Sequence, residues 1–204
     1  MRILALIISS IILWGCNKAE KDNVSTSDTK AKIYKRHEVT PLLREKVKQS
    51  QESGNTKFMA ILEHQMGMKK DTAYKHIRRL YKKGKMKRVT NDRGNIEYVY
   101  TLHLPSLGAV DMYFDAFYDD NKSLYMIECK PMVSDTSQIE TYIDEMAYLL
   151  TEKYGTPLYL FKNTPYTGKI WLDNTLIIEL YCLNNKLIVQ YKDGTNPYEK
   201  ANEL

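Results

Sequence analysis

The chain has 204 residues, with 30 Lys and Arg against 25 Asp and Glu, a formal net charge of +5, and 43% hydrophobic residues. These values exclude wholesale disorder and leave length for one sizeable domain or two small ones. Of the three cysteines, Cys16, Cys129 and Cys182, no two form a CxxC pair, and His37, His64, His76 and His103 are scattered without ligand spacing, which argues against a zinc site.

Residues 1–16 read MRILALIISSIILWGC: one Arg, an apolar run, then a cysteine. As a helix, Ile3 to Gly15 would span about 20 Å against a hydrocarbon core of roughly 30 Å, too short for a permanent span. With Leu13 and Gly15 before Cys16, this stretch resembles a bacterial lipoprotein signal. The resemblance implies cleavage after residue 15 and fatty acyl chains on Cys16. It also implies a protein anchored in the bacterial cell envelope that faces the periplasm or the exterior. The other reading of the same residues is an ordinary cleaved signal with an incidental cysteine. Residues 16–37 then read as a flexible tether, polar through Ser25, Thr26, Ser27, Asp28 and Thr29.

Three helices are expected next. The first runs from Thr40, with Pro41 in the first helical position, to near Gly54. The second follows Thr56, with Phe58, Ile61, Leu62 and Met66 at helical spacing and Gly67 as its stop. The third spans Asp71 to Lys83, where Ala73, Ile77, Leu80 and Tyr81 form one stripe. Two strands flank the turn Asn91-Asp92-Arg93-Gly94-Asn95. Residues 57–95 hold 12 basic residues against 3 acidic ones.

On Leu62, Met66-Gly67-Met68, Thr72, Lys75 to Leu80, Lys82-Lys83-Gly84 and the turn at Arg93-Gly94, residues 57–104 resemble a winged helix-turn-helix domain. The resemblance implies a basic winged-helix-like domain over residues 38–104. Its nucleic-acid-binding residues would be Lys75, His76, Arg78, Arg79 and Arg93, with the third helix in the major groove. Without DNA, the same basic face is solvated, or touches acidic lipid headgroups or the acidic half of the chain.

Pro105 to Gly108 mark a boundary, and residues 96–204 as a whole carry 8 basic and 16 acidic side chains. Val110 to Tyr118 alternates with a period of two, a half-buried strand, and Ser123 to Lys130 is its hairpin partner. A helix from about Ser137 carries Ile139, Tyr142, Ile143, Met146, Leu150 and Tyr154 on one stripe. Strands follow at Leu158 to Phe161, Ile170 to Leu172, Thr175 to Cys182 and Lys186 to Lys192. The expected unit over residues 105–204 is an acidic α+β domain, an antiparallel sheet packed on one helix. In an oxidising compartment, a disulfide between Cys129 and Cys182 stays open.

Asp111, Asp115, Asp119 and Asp120 raise the question of calcium, but the loop at Asp119 to Lys122 has no glycine and introduces an ammonium. There is no glycine-rich phosphate loop and no GxSxG elbow. Tyr98, Tyr100, Tyr113, Tyr118, Tyr125 and Tyr181 read as cross-strand packing rather than a ligand platform. The expected fold is therefore α+β, a three-helix winged-helix-like segment followed by a sheet-and-helix domain. The expected protein is a membrane-anchored lipoprotein that binds an unknown protein or envelope ligand, without cofactor, metal or catalysis. The alternative is a winged-helix DNA-binding regulator with an N-terminal membrane anchor, the only reading in which nucleic acid is the partner.

Overall fold

A computed structural model describes residues 32–54, 59–91, 93–133 and 136–196. The signal at residues 1–15, Cys16 and the tether as far as residue 31 lie outside the described residues. Ala31–Leu204 forms one compact unit. Its elements are β1 (Ile33–Lys35), α1 (Arg36–Glu52), a 3-10 turn (Ile61–Glu63), α2 (Lys70–Lys82), β2 (Lys87–Thr90), β3 (Ile96–Leu104), β4 (Gly108–Tyr118), β5 (Leu124–Pro131), a 3-10 turn (Thr136–Gln138), α3 (Ile139–Tyr154), β6 (Tyr159–Asn163), β7 (Tyr166–Asp173), β8 (Leu176–Leu183) and β9 (Lys186–Asp193).

The strands form one nine-stranded sheet in the order β1-β6-β7-β8-β9-β5-β4-β3-β2. Strands β2 to β5 are a meander, β6 to β9 are a second meander, and the antiparallel pair β5–β9 joins them. Only β1–β6 is parallel. The period of two in β4 buries Val110, Met112 and Phe114 on one face, where they meet Leu124, Ile127 and Cys129 of β5. Onto that face pack α3, through Ile139, Ile143, Met146, Ala147 and Leu150, and α2, through Ile77 and Leu80. Trp171 of β7 is fully buried there and donates its indole N–H to the Gly155 carbonyl at 2.9 Å. On the other face, Val39, Leu43 and Val47 of α1 cover Phe161, Ile170 and Ile177.

This architecture overturns the expected winged-helix-like segment followed by a separate small sheet: the described residues form one large mixed sheet with three helices. The second expected helix is replaced by a turn in which Leu62 (φ 54°) and Glu63 (φ 61°) take left-handed backbone angles that end any helix. The backbone there bonds to the main sheet, with Gly67 N–H donating to the Leu124 carbonyl and Leu124 N–H to the Met68 carbonyl, both at 2.8 Å. The first helix lies on the opposite face of the sheet from α2, so no three-helix bundle forms. It also begins at Arg36, four residues early, where Lys35 N–H donates to the Glu38 carboxylate at 2.7 Å, and Pro41 sits inside the helix. The expected wing, β2–β3, continues into the sheet, because β3 pairs with β4 from Tyr98↔Phe114 to Leu104↔Gly108.

Cys129 and Cys182 are both buried and free, so no disulfide joins them. They lie on β5 and β8 with β9 between, and two strand spacings of about 4.8 Å already exceed the roughly 7 Å that a disulfide spans.

Candidate functional site

The sheet face opposite α2 and α3 carries a band of charged side chains at alternate strand positions. On β2 to β4, Lys87 meets Asp111 at 3.2 Å, and Thr101 donates to Asp111 at 2.6 Å. The Thr101 hydroxyl, with the Lys87 ammonium, holds the Asp111 carboxyl below its usual range despite slight burial. Asp115 and Glu128 are direct cross-strand partners, and Lys130, two residues on from Glu128, pairs with both, at 3.6 Å to Asp115. Burial lifts the Asp115 carboxyl in spite of Lys130. Burial alone would lower Lys130, but Glu128 and Asp115 outweigh it and raise the ammonium. Gln190 of β9 donates to Glu128 at 2.7 Å, and Glu179 of β8 accepts from Arg36 of α1 at 2.7 Å and Lys192 of β9 at 3.3 Å.

A groove of about 460 Å³ opens at one end of this band, lined by Tyr113, Lys130, Pro131, Met132 and Val133 and, from the β8–β9 hairpin, Asn185, Lys186 and Leu187. Its hairpin wall rests on Asn184 and Asn185, whose φ of 50° and 59° suit asparagine in a tight turn. Met132 at the mouth is 42% exposed. Because Lys130 is already held by Asp115 and Glu128, the Lys186 ammonium against apolar walls is the charge that suits an anionic amphiphile or an acidic peptide segment.

The residues singled out for nucleic acid are split by the fold. His76 is buried: its Nε2–H donates to the Leu62 carbonyl at 2.8 Å, and its Nδ1 accepts from Arg79 at 2.7 Å. Its ring stands edge-on to His64 at 4.5 Å. His76 is therefore a core residue that fixes the turn before α2, not a reader of bases, while Arg79 stays exposed, donating to His76 and lying 4.0 Å from Glu63. Lys75 and Arg78 stay exposed and come together with Asp71, Tyr74 and Tyr98 around a second hollow of about 430 Å³. Arg93 sits in the β2–β3 turn, outside this hollow, with its backbone N–H on the Asn91 side chain at 3.0 Å.

The Glu128/Lys130 pair, Gln190, Glu179, Lys192 and Arg36 escaped sequence reasoning. The available signal was Glu-x-Lys on a strand whose hairpin partner carries Asp115 at the matching alternation. Nothing local marks β9 as the neighbour of β5, or β8 as the strand beyond it. Asp111 and Asp115 do share a face, and among the described residues no group of three or more His, Cys, Asp and Glu is arranged to hold a metal ion. Comparison with protein-family models, with curated proteins and with solved structures finds no match.

Proposed function

We propose that the chain is a bacterial envelope lipoprotein, anchored through acyl chains on Cys16, whose sheet domain works by binding a ligand and not by catalysis. The groove between Tyr113, Met132, Lys186 and Leu187 carries the binding reading, because it combines apolar walls with the Lys186 ammonium. The chemistry of the surrounding groups supports it. Asp115 and Glu128 hold an ammonium between them, an arrangement that opposes a divalent cation, and the Cys129 thiol is pushed up to about 12 by burial, far from a reactive thiolate. The leader's length and Cys16 support the anchor, and fifteen residues separate Cys16 from Lys32. Such a stretch, as an unstructured chain, spans about 22 Å root mean square, enough to hold the domain close to a bilayer.

Metabolic labelling with a fatty-acid analogue tests the anchor: the wild type incorporates label and Cys16→Ser does not. Equal labelling of both proteins would remove the anchor. Fluorescence of an anilinonaphthalene sulfonate, an anionic probe with an apolar body, tests the groove. Lys186→Glu with Met132→Asp should abolish the enhancement seen with wild type, and an unchanged signal would move the binding site elsewhere.

A further inference from the structure

We propose that the outward face of α2 is a docking surface for anionic phospholipid headgroups, and that the hollow between α2 and β3 seats a phosphate group. This goes beyond the groove and the anchor, since it needs neither. Helix α2 buries its apolar side, with Ala73, Ile77 and Leu80 in the core, so it has no greasy face to insert into a membrane. Among what it presents to solvent are Tyr74, Lys75, Arg78, Tyr81 and Lys82, three cations interleaved with two phenols at i, i+3, i+4 and i+7 spacing, with Arg79 exposed beside them. Lys83 and Lys85 extend the charge past its C-terminus.

Four observations favour a surface of phosphates. First, none of Lys75, Arg78, Lys82, Lys83 and Lys85 has an ion-pair partner within 4.0 Å among the described residues, whereas the cations of the sheet band are matched by carboxylates. Second, Lys75 and Arg78 converge with the Tyr74 and Tyr98 rings on a hollow of about 430 Å³, whose one acidic lining residue is Asp71. Third, the exposed phenols of α2 lie beside further cations, Lys70 being 5.7 Å over the Tyr74 ring at the hollow and Arg88 4.5 Å over the Tyr81 ring farther along the helix, so aromatic rings and positive charge share this face. Fourth, the surface complements an anionic bilayer in charge while lacking apolar residues for insertion, so attachment is electrostatic. Duplex DNA is disfavoured because His76 is buried in the fold and, among the described residues, a 3-10 turn takes the place of a second helix in front of α2.

The test uses Ala31–Leu204, the compact unit, which carries neither the apolar leader nor Cys16 and so separates this proposal from the acyl anchor. Sedimentation with vesicles of phosphatidylcholine alone, or in equal parts with phosphatidylglycerol, should show binding only to the anionic vesicles. Binding should fade towards 1 M salt, where the Debye length is about 3 Å. Lys75→Ala, Arg78→Ala and Lys82→Ala together should weaken it about a hundredfold, at roughly fivefold for each neutralised cation. Lys153→Ala with Lys162→Ala should leave it unchanged. All five side chains are at the surface, and circular dichroism checks that the variants fold. Equal binding to neutral vesicles, or binding indifferent to the triple substitution, overturns the proposal. So does displacement by glycerol phosphate at low millimolar concentration, which would mark a site for a small free anion, or tighter binding to a short DNA duplex through the same residues.

Discussion

Glu179 is the most demanding residue in the structure, a carboxylate whose side chain is 3% exposed, lying between Arg36 and Lys192. Deleting one member of a buried ion pair leaves an uncompensated charge and costs about 3–5 kcal/mol, whereas replacing the pair by apolar groups of similar volume is close to neutral. Glu179→Ala is therefore expected to lower the unfolding free energy in urea by about 3 kcal/mol. Glu179→Leu with Lys192→Met should recover most of that loss, because Arg36 is 34% exposed and turns to water. A single variant as stable as wild type would show that Lys192 reaches solvent unaided. His64 gives a second test. Burial, reinforced by the neighbouring His76, lowers its pKa from 6.5 to about 4, with Nδ1 on the Ile61 carbonyl and the ring against Phe114. Arg79 donates to His76 Nδ1 at 2.7 Å and lies 4.0 Å from Glu63. The folded state therefore binds fewer protons than the unfolded one between pH 4 and 6.5. Stability that is complete above pH 6.5 falls by about 3 kcal/mol as pH drops to 4. Urea titrations at pH 7 and pH 4 should show this, and His64→Leu should remove that share of the difference.

At the scale of elements, the seat of α1 depends on one missing Cβ. Gly168 of β7 lies under the Phe161 ring, and a methyl group there would stand 2.2 Å from the ring edge. Gly168→Ala must push Phe161 into Val39, Leu43 and Val47, at a cost of about 1–3 kcal/mol. Adding Phe161→Leu should relieve part of this, and calorimetry on both variants checks it. Elements were legible where periodicity is strong. The alternation from Val110 to Tyr118, the stripe from Ile139 to Tyr154 and the turns at Asn91 to Asn95 and Asn184-Asn185 all form where their patterns indicate. The segment from Met59 to Lys69 was not legible. Ile61, Leu62 and Met66 have helical spacing, but Met66 is buried beside strands of the main sheet while the backbone pairs with Leu124 and Ser123, interactions that local spacing cannot encode. Apolar spacing in α1 and α2 likewise shows that each buries a face without showing that they bury against opposite sides of one sheet.

The charge division of the chain does not divide the molecule. Basic residues 57–95 supply α2 and β2, and the acidic remainder supplies β3 to β9, yet one sheet and one core run through both. Ile77, Leu80 and Met86 share a cluster with Ile143, Trp171 and Leu180, and β5–β9 pairing joins the two meanders. A pattern of local signals describes such a sheet strand by strand, but the crossover through α3 that sends β6 to the far edge and returns β9 to β5 rests on contacts remote in sequence. Residues 38–104 in isolation would keep α2 and the β2–β3 hairpin but lose β4, the partner of β3, and with it Met112 and Phe114, which wall the core beneath Tyr98 and Tyr100. Two-stranded ribbons without a packed face are marginal in water. That fragment is therefore expected to give broad, non-cooperative melting and poorly dispersed amide spectra, while Ala31–Leu204 unfolds in a single transition by both circular dichroism and tryptophan fluorescence. Trp171 reports from β7, at the opposite side of the sheet from β2, so separate midpoints by the two probes would show that the halves fold independently in spite of the shared ladder.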